Sequence, residues 1–332
     1  MARAERTPGM GSQQFPFEQE LKTVTPPPKG TLEQIFYNKA GLRSGWRLLL
    51  FITIFVTLEI FSEAVIRTFI RPAPAALTPA YLLLVEIARF IVLLLAAYLM
   101  SRIEMRPLAV YGLPLAISFS KRFIQGCLAG LAEVSILIGL IAIFGGYSFG
   151  SLALRGAEII EWLVLWAVIF VFVGLSEEFA FRGYAQFTLA DGIGFWPAAI
   201  ILSVCFGIVH LENGGEKWFG VLAIIFIALV FALALRRTGN LWFVVGFHAA
   251  FDFGETFLFS VPNSGMRFAG HLSHATLNGP AWLTGGSTGP EGSVFSFLTM
   301  GCAAVAIHFA FPAKKSTRAA TGSPGLSSVD QI

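Results

Sequence analysis

Charge is what this sequence lacks most. Only 13% of its 332 residues are charged, against 55% hydrophobic, and the mean hydropathy is +0.72. Soluble domains carry roughly a quarter charged residues, so a soluble enzyme, a disordered protein and a nucleic-acid binder are all excluded. Cysteine is scarce too. Cys127, Cys205 and Cys302 lie scattered in apolar stretches at no metal-like spacing, which leaves no disulfide framework or zinc ribbon. Residues 1–42 have no apolar core and contain Pro26-Pro27-Pro28. They read as a disordered cytosolic tail, not a signal peptide. No repeat links the two halves of the chain, which weakens an inverted-repeat transporter.

What the sequence does have is long apolar runs. Eight segments, at roughly 46–66, 80–100, 123–147, 159–183, 196–211, 219–235, 240–260 and 292–311, approach or exceed bilayer length, which takes about 20 helical residues. In lipid each segment must satisfy its own backbone, so each is read as helix. The expectation is an all-α polytopic membrane protein with a core over 43–312 and a polar tail over 313–332. The lipid bilayer is its first partner, and nucleic acid is not one.

The net charge of +3 reports orientation, not an anionic partner. Thirteen Lys and Arg fall at the entry flank (Lys29, Lys39, Arg43, Arg47), at Arg102, Arg106, Lys121 and Arg122, at Arg236 and Arg237, and at Lys314, Lys315 and Arg318. The alternate connections hold five: Arg67, Arg71, Arg155, Lys217 and Arg267. The positive-inside rule then places both termini in the cytosol.

Ionisable residues inside spans are expensive and by default functional, yet this chain tolerates several. Glu59 and Glu63, near a span end, can reach the interface, and Glu86 can pair with Arg89 one turn on. Glu133 is a further case. Residues 162–173 are twelve apolar positions, worth about −6 kcal/mol of insertion. Glu177, Glu178 and Arg182 follow them and cost roughly 8–10 kcal/mol near mid-membrane. These side chains should therefore face a wet or polar interior. Glu178 and Arg182 are spaced to pair, which leaves Glu177 about 100° round the helix without a local partner.

Three further residues converge on Glu177. His210 and Glu177 are equidistant from the Ile193–Gly194 peptide within the Asp191–Gly194 turn, so a hairpin would put them at one depth, about 20–25 Å of helix from it. His248 and Asp252 share one helix face, where a carboxylate can fix the imidazole tautomer. Glu177, His210, His248 and Asp252 are the candidate catalytic residues, with Glu178 and Arg182 in support. Other candidates are weaker. His210-Leu211-Glu212-Asn213 is not a zincin helix. Gly174-Leu175-Ser176 lacks the second glycine of a nucleophile elbow. His271 and His274 fall in a Gly/Pro-rich outer connection and read as solvated, and His308 reads as lipid or interface packing.

The motifs Glu-Glu-x-x-x-Arg at Glu177–Arg182, Phe-x-x-x-His at Phe206–His210 and His-x-x-x-Asp at His248–Asp252 resemble the CPBP family of intramembrane endopeptidases. That family includes the type II CAAX prenyl proteases and bacterial Abi or lysostaphin-resistance-like proteins. The Gly289–Ser293 stretch is similar to bacterial members. The resemblance implies an eight-helix protease that cuts a peptide or lipidated protein substrate from a cavity open to the cytosol. It also implies that Glu177 and His210 activate the water and that His248 and Asp252 stabilise the oxyanion. Many members carry Asn at the last position. An ionised Asp252 cannot donate to an oxyanion, so it is expected to orient His248, ligate a metal or carry a proton. Two mechanisms stay open: Glu177 as metal-free base, or Zn²⁺ held from among Glu177, His210, His248 and Asp252. The alternative function is a non-catalytic binding or immunity protein that retains the fold.

Overall fold

A computed structural model describes residue 30 and residues 33–38, 41–70 and 78–312. The Pro26-Pro27-Pro28 run, Lys29, Lys39, Arg71 and the tail over 313–332 lie outside the described residues. Among the described residues, nine main helices follow one another: α1 (Ser44–Phe69), α2 (Pro79–Ile103), α3 (Lys121–Ile143), α4 (Ala157–Glu178), α5 (Ala185–Ile193), α6 (Phe195–Val209), α7 (Trp218–Thr238), α8 (Trp242–Phe253) and α9 (Val294–Ala310). Among the described residues, six helices are long and apolar enough to cross a membrane: α1, α2, α3, the stretch Ala157–Ile193, Phe195–Glu212 and α7. The protein is all-α and polytopic. The last two predicted segments are shorter helices of 12 and 17 residues, and a π-turn over Gly254–Leu258 prolongs α8.

Helix ends are marked locally. Thr78 accepts the Tyr81 N–H before Pro79 opens α2, and Ser293 accepts the Phe295 N–H at the start of α9. Gly239 closes α7 in the left-handed conformation, its N–H on Leu235 O. Part of the expected polar tail is ordered instead. Glu33–Phe36 forms one helical turn, and Tyr37–Asn38 pairs antiparallel with Gly41–Leu42. Trp46 Nε1 donates to Ile35 O and Arg43 Nε to Gln34 O, which ties this piece to the start of α1.

Small residues set the closest approach. Gly126 and Gly130 lie four apart on α3, where an added Cβ would fall 2.0 Å from Phe243 O and 2.2 Å from Phe247 O. Gly246 of α8 faces Phe123 O in return, at 2.3 Å. This is the small-xxx-small packing by which membrane helices gain contact without a hydrophobic drive between them. It seats α8 firmly against α3. Gly174 does the same for α4, with Val245 O 3.1 Å from its missing Cβ.

The segment 157–193 is not one straight helix. A π-turn over Phe179–Tyr184 breaks it, with Gly183 at φ −84°, ψ −122°. Equal rise along a simple hairpin therefore does not hold between Glu177 and His210. A polar knot anchors the far side of this bend: Arg47 of α1 contacts Glu104 and lies 3.0 Å from Asp191, Arg106 lies 2.7 Å from Asp191, and Tyr184 donates to Glu104. Within the spans Arg89 bridges Glu86 at 2.5 Å and Glu59 at 3.1 Å, and Glu63 pairs with Arg67.

Candidate active site

Helix α4 delivers Glu177 and Glu178 at its last two positions, just where the π-turn begins. Such bulges are frequent at functional sites because they re-aim side chains. Glu178 is wholly buried and Arg182 is 2% exposed. Arg182 Nη1 donates to Glu178 Oε1 at 3.2 Å, as the spacing predicts. That same oxygen takes the Nδ1–H of His248 at 2.8 Å. Sequence reasoning missed this second contact, since nothing in the spacing shows which way Glu178 faces across helices.

His248 is the centre of the arrangement. With Nδ1 held by Glu178, its Nε2 lies 3.4 Å from Asp252 Oδ2 and 3.7 Å from Glu177 Oε2. Three carboxylates thus surround one imidazole. Two ring N–H groups satisfy them best, which makes His248 a donor on both nitrogens. Glu177 keeps 27% of its side chain exposed, the most of the three.

His210 arrives from the other side of the bundle, at the end of α6. Its Nδ1 donates to Phe206 O at 2.7 Å, one turn back, which leaves Nε2 free to accept. No hydrogen bond or ion pair joins it to Glu177 among the described residues. The two histidines meet instead across Phe206, whose ring centroid is 4.5 Å from that of His210 and 6.5 Å from that of His248. The Arg182 guanidinium sits 4.2 Å over the Phe206 ring.

A cavity of about 30 Å³ is lined by His210, His248, Asp252, Ser264 and Glu291, with Phe206 and Phe231 among its apolar walls. That is room for a water or two, and the polar groups to bind them are present. Glu177 is not part of this lining and reaches the site from the side of His248. Ser264 and Glu291 come from the 261–293 connection, which is not a bare loop: Thr276–Leu277 pairs with Tyr147–Ser148, and Ala281–Thr284 forms a helical turn. Within it His271 is fixed by its own turn, Nδ1 to Phe268 O at 2.9 Å. The only sequence signal for Glu291 was its place in the Gly289–Ser293 stretch. Burial pushes the Glu291 carboxyl up to about 7, and the charge of Asp252 adds to the shift.

Among the described residues, no group of three or more His, Cys, Asp or Glu side chains is placed to hold a metal ion. Both nitrogens of His248 face carboxylates.

No curated protein matches the chain. Residues 159–254, which hold Glu177, Glu178, Arg182, His210, His248 and Asp252 and stop short of Glu291, match the Rce1-like family model, described as type II CAAX prenyl endopeptidase Rce1-like.

Proposed function

We propose that this protein is an intramembrane endopeptidase of CAAX-protease type, hydrolysing a peptide bond of a membrane-associated substrate by a water that Glu177 and His210 activate. The observation that carries the reading is His248 held among Glu178, Asp252 and Glu177 inside the matched domain. Glu177 takes the proton of the water as general base, and the free Nε2 of His210 fixes its second side. His248 donates Nε2–H to the developing oxyanion. Asp252 orients His248, and Glu178 locks its other nitrogen.

Both termini are read as cytosolic, and entry to the site as cytosolic too. Ser264 and Glu291 belong to the outer connection and line the cavity, which supports the opposite side as the way in. A lipidated peptide end could leave its chain in the bilayer and feed its polar end to Glu177. The test is cleavage of a farnesylated Cys-a-a-X peptide, beside an unprenylated membrane peptide, by the purified chain in liposomes. Release of three residues from the first supports the reading, and no release from either contradicts it.

A further inference from the structure

We propose that Glu291 is the general acid of this site, the carboxyl group that gives its proton to the amine leaving the cleaved bond. The proposal rests on the hydrolase reading above and deepens it. Hydrolysis of an amide needs two proton functions: a base for the water and an acid for the leaving nitrogen. Glu177, beside His248, supplies the first. The second must come from another group at the cavity. His210 is given to the water through its free Nε2, and Asp252 lies against His248 Nε2. Glu291 has neither commitment.

Glu291 is also built into place. Its Oε1 accepts from Ser264 N at 2.7 Å and from Ser264 Oγ at 3.0 Å, and Oε2 lies 3.2 Å from the same hydroxyl. Ser264 holds a positive φ of 43° to do this, a conformation that costs a non-glycine residue energy and collects at functional sites. Ser264 O in turn accepts from Asn213 Nδ2 at 2.8 Å, three residues after His210. Carboxyl, holder and histidine loop therefore form one unit, so Glu291 is placed relative to His210 and not merely near it.

The surroundings favour a proton on this carboxyl. Burial is the largest influence, and the charges of Asp252 of α8 and Glu216 before α7 add to it, while contacts from Glu255 of the π-turn and from the Ser264 N–H favour the ionised form. Glu133 of α3 lies within reach of its charge. The charge of Glu291 reaches His210, and no ion pair joins Glu291 to Lys or Arg among the described residues. Carboxylates this crowded cannot all ionise in a low dielectric.

The step balances. One water O–H proton passes to Glu177 while the water oxygen bonds to the carbonyl carbon. The carbon–nitrogen bond then breaks, and its electron pair takes the proton of Glu291. An acid and an amine leave. Glu177 returns its proton to solvent, and Glu291 is reprotonated from it.

The experiment uses the full chain in liposomes with a farnesylated Cys-a-a-X peptide and its counterpart carrying a p-nitrophenyl ester at the scissile position, whose leaving group needs no proton. In Glu291→Gln, amide cleavage is expected to fall about 100-fold or more, with ester cleavage within about threefold of wild type. Glu177→Ala is expected to lose both. In the wild-type chain, amide cleavage should decline above about pH 7 while ester cleavage does not, a readout that needs no variant to fold. Equal loss of amide and ester in Glu291→Gln, or amide cleavage retained, overturns the general acid alone. A wild-type chain that cleaves neither overturns the hydrolase reading with it.

Discussion

The guanidinium of Arg182 lies 4.2 Å over the ring of Phe206, and this contact joins the first sequence motif to the second. Through Glu178 the same arginine supports His248, and through Phe206 it braces His210. A lysine would keep the charge but not the planar stack. Arg182→Lys is therefore expected to lower cleavage roughly 10- to 100-fold, the scale on which small displacements of catalytic groups act. The drop should appear in kcat with little change in KM. A variant with wild-type kcat would show that the stack is packing alone.

Glu178 is expected to matter although it never meets the substrate. In Glu178→Gln a neutral amide replaces the carboxylate that accepts the Nδ1–H of His248, so the ring is held less firmly and its Nε2–H becomes a weaker donor. A hydrogen bond to a charged group contributes about 1.5–3 kcal/mol, so a loss of roughly 10- to 100-fold is expected here. Unchanged cleavage would mean that Asp252 alone orients the ring.

The folded chain holds the proton of Glu291 more tightly than the unfolded chain does, at about 7 against roughly 4.3 for a free Glu. Between those values the fold binds more protons, so this group's stabilising contribution is present at low pH and lost as pH rises through about 7. Melting followed in detergent at pH 5 and pH 8 should show the wild type less stable at pH 8. Glu291→Gln should narrow the gap, and an unchanged gap would place the sensitivity elsewhere.

Gly130→Leu is expected to damage folding more than function-specific changes do. Its Cβ would fall 2.2 Å from Phe247 O, next to His248, and overpacking of this kind costs about 1–3 kcal/mol or more. A loss of both melting temperature and cleavage is expected. A stable variant would mean that α3 and α8 can separate without harm.

Much of this was legible in the residues. Apolar runs gave the helices because lipid leaves the backbone no other choice, and i,i+4 spacing gave Glu178–Arg182 and His248–Asp252. What spacing cannot give is direction across helices. The link from Glu178 to His248 depends on the π-turn and on Gly174, and neither has a periodic signature. The shared depth of Glu177 and His210 assumed a straight hairpin that Gly183 bends. Glu291 lay outside every span, in a connection whose Gly and Pro content reads as cover, so its return into the cavity was invisible. The ordered pieces at 33–38 and 41–42 were missed because their anchors, Trp46 and Arg43, belong to the start of the next helix.

The most direct measurement is peptide cleavage in liposomes by Glu177→Ala and His210→Ala, each compared with wild type for insertion and melting. Both variants should insert and melt like the wild type and release no product, because each removes one of the two groups that activate the water. Cleavage retained by either variant, on a substrate the wild type cuts, would contradict the proposed mechanism.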